Sequence, residues 1–344
     1  MARSSTTFPP KWNRGKTTVI RVPVAIADHV LEFAKRLDAS GKYRIREEAN
    51  ALVLEFTPRR RISYSSAVPV NVASVPQRSP FRYPGGKTWL VPYIREWLQS
   101  QPTPPARLIE PFAGGAIVSL TAAFERLAKH IVFAELDENV ASVWRVMLNG
   151  QAEWLANQIL HFELTPENVR AVLSKPADDL RQRSFQTVLR NRVQRGGIMA
   201  AGAGFVKHGE NGRGLLSRWY PETLARRIRE INRMKDRLTF IEGDGFGLIA
   251  EHENDKEAAF YIDPPYTLAA RRLYSRWQVS HSRLFAAMKR CKGDFLMSYD
   301  NTKEIADLAD DFGFQSRPIA MKNTHHAKMT ELLIGRDLSW LAKP

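Results

Sequence analysis

Apolar residues fall along this chain in two alternating textures. Short, nearly uninterrupted apolar runs occupy residues 107–109, ending at Glu110; 131–134, ending at Glu135 and Asp137; 259–262, ending at Asp263; and 295–298. Runs of this length with few polar breaks predict strands buried on both faces. Between them the apolar positions recur at helical spacing, most clearly over residues 116–127. Strands alternating with helices predict an α/β fold, a parallel sheet covered on both faces, with ligands bound beyond the carboxyl ends of the strands. From 151 to 234 the pattern is mostly helical and loop-like, rich in Arg and Gly, and it interrupts the strand series. These residues are expected to form an inserted domain within a body made of residues 80–150 and 235–344.

The N-terminal segment, residues 1–57, has its own pattern. Residues 17–21 predict a short strand, and from Ala25 onward Ile26, Val30, Phe33, Ala34 and Leu37 recur at helical spacing until Gly41. Residues 44–56 predict a further helix, stopped by Pro58 and the run Arg59-Arg60-Arg61. Residues 58–79, rich in Ser, Pro and Val, predict a linker. A strand followed by two helices resembles the ribbon-helix-helix class of small DNA-binding dimers; a plain basic extension is the alternative.

Composition narrows the class. With 44% hydrophobic and 25% charged positions among 344 residues, the chain is neither disordered throughout nor a fibrous repeat. Fifty-one Lys and Arg against 36 Asp and Glu leave a formal charge of +15. The excess divides into about +7 from residues 1–76 and about +8 from residues 177–237. Two basic stretches around a near-neutral body suit a polyanionic partner such as a nucleic acid, although a solvated basic face accounts for charge alone. No apolar run approaches the roughly 18–20 residues of a membrane span, and the polar start lacks a secretory signal, so a cytoplasmic protein without a membrane partner is expected. Cys291 is the sole cysteine. It permits neither an internal disulfide nor a thiolate zinc site, and reads as a buried bystander. His208, His325 and His326 are not at metal-ligand spacings and no metal is expected.

Three strand ends carry candidate chemistry. Glu110-Pro111-Phe112-Ala113-Gly114-Gly115 places glycines directly after a strand, where the backbone can turn sharply and approach a nucleotide-like ligand. The dinucleotide fingerprint G-x-G-x-x-G is not met, which disfavours a nicotinamide enzyme. Asp137 lies about 20 residues beyond that turn, where a carboxylate can hold ribose hydroxyls or, equally, cap a helix. Asp263-Pro264-Pro265-Tyr266 follows the third run. Two prolines stop the strand and remove two donors, so a carboxylate, a free carbonyl and an aromatic ring converge. That set suits a planar base with an exocyclic amine.

Phe81-Arg82-Tyr83-Pro84-Gly85-Gly86-Lys87, the EPFAGG turn and DPPY, in that order and with a long insert before DPPY, resemble the Dam-type family (D12 class, group alpha) of DNA adenine-N6 methyltransferases. Softer agreements are Asn191-Arg192, Arg218-Trp219-Tyr220, Leu273-Tyr274, His281, Ser298-Tyr299-Asp300-Asn301 and Glu331-Leu332-Leu333-Ile334. The likeness spans residues 79–335 and leaves the N-terminal segment outside. It implies a Rossmann-like sheet with an antiparallel last hairpin, S-adenosylmethionine as cofactor, and transfer of its methyl group to the amine of a flipped adenine in duplex DNA at specific sites.

By that resemblance Asp263 and the Pro264 carbonyl accept the amine N–H groups, with Asp263 ionised, while Tyr266 stacks on the base. Tyr83, Lys87, Glu110, Phe112, Gly114 and Gly115 line the donor pocket, with Asp137 on the ribose and Asp244 on the donor's adenine. Lys87 is a candidate partner for a carboxylate or the target strand, and equally a solvated lysine at a helix start. Arg181, Arg190, Arg192, Arg195, Lys207 and Arg213 in the insert are candidate phosphate contacts. Methylation of the cytosine amine, and a non-catalytic DNA binder on a degenerate fold, are the competing readings. A cognate restriction endonuclease is a candidate partner; the oligomeric state is left open.

Overall fold

The computed structural model describes residues 43–48, 51–56, 75–82, 86–199, 204–209, 212–265, 279–322 and 328–341. The chain divides into two units, residues 1–62 and 63–344. In the first, β1 (Tyr43–Glu48) and β2 (Ala51–Phe56) pair antiparallel, with Tyr43 opposite Phe56, Ile45 opposite Leu54 and Glu48 opposite Ala51. This corrects the helix expected over 44–56. Leu52, Leu54 and Phe56 alternate with a period of two, and that period prevails over the helical reading. The predicted strand over 17–21 and helix from Ala25 lie outside the described residues, as does most of the predicted linker.

The second unit is built on seven strands in the order β5-β4-β3-β6-β7-β9-β8. They are β3 (Arg107–Glu110), β4 (His130–Glu135), β5 (Leu238–Glu242), β6 (Ala258–Ile262), β7 (Asp294–Asp300), β8 (Gln315–Lys322) and β9 (Lys328–Gly335). β3 to β7 pair in parallel, whereas β9 runs antiparallel between β7 and β8, the closing hairpin that the resemblance implied.

Side chains alternate between two apolar clusters, one on each face. Leu108, Ile131, Phe133, Ala259, Tyr261 and Leu296 join one. Ile109, Val132, Ala134, Phe260, Ile262, Phe295 and Met297 join the other. Because successive strand residues point to opposite faces, burial on both explains why these segments read as continuous apolar runs.

Helices cover both faces: α1 (Val91–Ser100), α2 (Ile117–Glu125) and α3 (Glu138–Leu148) on the first, and α8 (Gly245–Glu251), α9 (His281–Arg290) and α10 (Lys303–Asp311) on the second. Between α3 and β5 come α4 (Ala152–His161), α5 (Pro166–Leu173), α6 (Leu180–Val193) and α7 (Pro221–Arg233). Leu155, Ile159, Val188, Leu189, Leu224 and Ile228 of this stretch pack into the same apolar cluster as Trp144 and Phe133. Among the described residues no helix is long and apolar enough to cross a membrane. Cys291 is buried, and burial pushes its thiol up to about 11, which makes it unreactive.

Candidate active site

Strand order reverses at β3, which has β4 on one side and β6 on the other, so a crevice opens beyond their carboxyl ends. A cavity of about 1010 Å³ lies there, lined by Lys87, Glu110, Phe112, Gly114, Gly115, Glu135, Asp137, Asp244, Asp263 and Pro264. Small-molecule sites run to about 300–1,000 Å³, so the space admits a nucleoside-sized ligand with room beside it.

The turn after β3 is held from several directions. Gly114 takes φ +48° and Ala116 φ +49°, and the Ala113 amide donates to the Ala134 carbonyl at 3.0 Å. A left-handed alanine costs about 1–2 kcal/mol, and the surrounding bonds hold it. Glu110 is buried, and its Oε2 accepts the Ser119 amide at 2.8 Å, tying β3 to the first turn of α2. Burial pushes the Glu110 carboxyl up to about 8, against the pull of that hydrogen bond. The group is therefore mainly protonated at neutral pH.

At the end of β4, Glu135 and Asp137 do different work. Glu135 accepts the Gly114 amide at 2.9 Å with Oε2 and the Asp137 amide at 2.8 Å with Oε1. Burial raises its carboxyl to about 7. Asp137 caps α3, its Oδ1 accepting from Asn139 at 2.9 Å and Val140 at 3.3 Å. The capping alternative weighed for Asp137 is thus present, while its side chain still borders the cavity. Asp244 likewise caps α8 through the Phe246 amide at 3.2 Å. Phe112 packs edge-on against Phe246, ring centroids 6.2 Å apart, and the Arg283 guanidinium lies 4.3 Å over the Phe246 ring. Sequence reasoning missed Glu135 as a site residue; its position two residues before a capping Asp, at the strand end, was the available signal.

Asp263 lines the same cavity. Its Oδ1 accepts from Ser298 Oγ at 3.0 Å and lies 3.3 Å from Lys87 Nζ. Ser298 Oγ also bonds the Tyr261 hydroxyl at 2.9 Å. Burial raises the Asp263 carboxyl, opposed by Lys87 and by the Ser298 hydrogen bond. Lys87 is only 3% exposed, which corrects its reading as a solvated helix-start lysine. Burial alone would lower its pKa, but Asp263 and Glu331 outweigh that and raise it, so it stays a cation. Tyr83 and Tyr266 lie outside the described residues, as do Leu273, Tyr274, His325 and His326. His281 faces the Tyr299 hydroxyl at 3.1 Å.

The insert arginines separate into two groups. Arg195, Lys207 and Arg213 are exposed. Arg181 is exposed but engaged, with Nε donating to Gln151 Oε1 at 3.0 Å and its guanidinium over Trp154. Arg190 is half-buried. Arg192 is 5% exposed and donates to the Pro80 carbonyl, so it forms part of the cavity wall and not a surface phosphate contact. Its companion Asn191 bonds the Arg82 backbone, accepting from its amide at 2.8 Å and donating to its carbonyl at 2.8 Å. Arg218 and Arg227 line the cavity on the same side.

Chemically, the cavity offers carboxylates and helix N-termini to a hydroxyl-bearing, cationic ligand, and Asp263, half-buried next to the Pro264-Pro265 pair, opens onto the same space. Several solved structures match the chain at low similarity. A putative RNA methyltransferase from Pyrococcus horikoshii is 10% identical, covering 74% of this chain and 84% of its own, TM-score 0.34. An rRNA methyltransferase from Streptomyces viridochromogenes is 14% identical, covering 74% and 86%, TM-score 0.33. A SAM-dependent methyltransferase from Agrobacterium tumefaciens is 8% identical, covering 86% and 70%, TM-score 0.36. No curated protein matches the chain. The family model for D12 class N6 adenine-specific DNA methyltransferase matches residues 83–199 and 204–321, more than half of the chain. With the family model matching over most of its length, and with the glycine turn after β3 and the DPPY sequence directly after β6, the chain belongs to the D12 class of N6 adenine-specific DNA methyltransferases.

Proposed function

We propose that the cavity receives S-adenosylmethionine at the β3–β4 side and an adenine turned out of duplex DNA at the β6 side, and that Asp263 is the residue on which transfer depends. The observation that carries this reading is the opening of Asp263 and Pro264 onto the same cavity as Gly114, Glu135, Asp137 and Asp244.

The residues present fit the donor. Close approach is built into the wall: a Cβ on Gly245 would lie 2.6 Å from the Pro111 carbonyl and 2.9 Å from Phe112. Carboxylates suit ribose hydroxyls and a cationic sulfonium, and Phe112 supplies apolar surface. Glu135 and Asp137 would hold the ribose, Asp244 the adenine moiety, and protonated Glu110 would present a donor to the methionine part. When bound, the cofactor supplies a methyl group already activated on sulfur.

The protein's part is to prepare the acceptor. An adenine amine is a weak nucleophile because its lone pair is delocalised into the ring. Asp263 and the Pro264 carbonyl, accepting its two N–H groups, would favour a more tetrahedral nitrogen and stabilise the positive charge growing there. Held this way by Asp263 and the Pro264 carbonyl, the amine nitrogen would accept the methyl group while the electron pair of the broken bond stays on sulfur, and one amine proton would leave to solvent. Tyr266 would stack on the extruded ring. Arg195, Lys207 and Arg213 would hold the duplex by its phosphates. The reaction belongs in the cytoplasm, where DNA and donor are both at hand.

Replacing Asp263 by Ala in the full chain is expected to lower methyl transfer to duplex DNA at least ~100-fold with folding and donor binding intact. Full activity in that variant overturns the assignment. Expression in a methylation-free host, followed by mapping of modified adenines, is expected to return one recurrent sequence motif. Scattered or absent methylation would remove site specificity.

A further inference from the structure

A buried acid stands beside half-buried Asp263. Glu331 is 5% exposed and lies in β9 next to Leu332, Leu333 and Ile334. A carboxylate in such a place is costly unless paired. Its Oε2 accepts from Lys87 Nζ at 2.8 Å, and the same ammonium is 3.3 Å from Asp263 Oδ1. Lys87 thus bridges two acids carried by different strands, β6 and β9, with β7 between them. From β7, Ser298 steadies Asp263, and Asp300 stands in register with Glu331. A plain ion pair would need one acid; here two acids meet the same buried ammonium, which lines the cavity.

We propose that Glu331 is a positioning residue for methyl transfer: it holds the Lys87 ammonium against Asp263 and sets the net charge that the three groups present to the reacting amine. The inference rests on the assignment of Asp263 as the amine's acceptor. With Glu331 protonated, Lys87 and Asp263 form a neutral pair. With Glu331 ionised, the group carries one net negative charge, which better meets the positive charge developing on nitrogen. The change falls in an accessible range: burial raises Glu331 to about 7, with Lys87 opposing and Asp263 and Asp300 adding to the rise. Among the described residues, further ionisable neighbours of the cluster are Glu110, Tyr261 and Tyr299, all of which hold their protons at neutral pH.

The test is single-turnover methyl transfer to duplex DNA between pH 6 and 9, with donor affinity measured by calorimetry, for the wild-type chain, Glu331→Gln, Glu331→Asp and Asp263→Ala. The wild-type rate is expected to rise through about pH 7. Glu331→Gln should match wild type at pH 6, fail to rise, and be on the order of tenfold slower at pH 8, with donor affinity within about twofold. Glu331→Asp, which retains the charge, should keep the rise at a reduced rate. A Glu331→Gln profile superimposable on wild type overturns the proposal. So does a loss of donor binding equal to the loss of rate, or a Glu331→Asp profile without the rise. Full activity in Asp263→Ala would instead bring down the functional assignment itself.

Discussion

Gly114 donates its backbone amide to the Glu135 side chain across 2.9 Å, so the glycine turn after β3 is fastened to the end of β4 by a half-buried carboxylate. The other oxygen of Glu135 holds the Asp137 amide, and Asp137 caps α3. Glu135→Ala would leave the Gly114 amide without that acceptor, a cost of about 1–3 kcal/mol, and would loosen the donor wall. Asp137→Ala removes a cap worth about 1 kcal/mol. Calorimetry with S-adenosylmethionine and thermal unfolding should therefore show a larger loss of donor affinity for Glu135→Ala, and for Asp137→Ala a lowered Tm with the smaller affinity loss. The opposite ranking of affinities would return the main ribose role to Asp137.

What the sequence disclosed about this region, and what it hid, follows from the same geometry. β3, β4, β6 and β7 were legible because burial on both faces makes them plain apolar runs, and because acids and glycines gather at their ends. β8 was not: Arg317 and Pro318 break its pattern, which an edge strand tolerates. Glu135 and Asp137 are both acidic and two residues apart, so only the observed strand end and helix start separate them. Lys87, Asp263 and Glu331 are far apart in the chain, and no local pattern reveals that they meet. The hairpin over 43–56 was misread because a short apolar stretch supports either period.

Glu110 makes stability depend on pH. Its carboxyl is raised to about 8 in the folded chain from an ordinary value of 4.5, so the folded state binds the proton more tightly than the unfolded one. The stabilisation from this group is complete below about 4.5 and is lost as pH rises through 8. Glu135 and Glu331, raised to about 7, act in the same direction. His130 and His281 are lowered by burial and oppose this only below their ordinary value of 6.5. Between pH 6.5 and 8.5 Glu110 alone is expected to account for about 2 kcal/mol. Denaturant unfolding of the donor-free protein should lose stability across that window, and Glu110→Gln should flatten much of the loss. A wild-type stability that rises over the same window would show that Glu110 ionises freely in the fold.

Arg195, Lys207 and Arg213 project from the stretch between α3 and β5 into solvent, whereas Arg192 is buried against the Pro80 carbonyl. Neutralising a phosphate releases counterions, so each contact contributes about 0.9 to the slope of log affinity against log salt on duplex DNA. Replacing Arg195, Lys207 and Arg213 together by Ala is expected to reduce the slope by about 2.7 and weaken binding alike on all sequences. Donor affinity should not change. Arg181, held by Gln151 and stacked on Trp154, serves as the comparison: its replacement by Ala should alter the slope by less than one contact's share. A triple variant with an unchanged slope would move the phosphate-binding surface away from this stretch, and the other basic region, residues 1–76, would be the next to test.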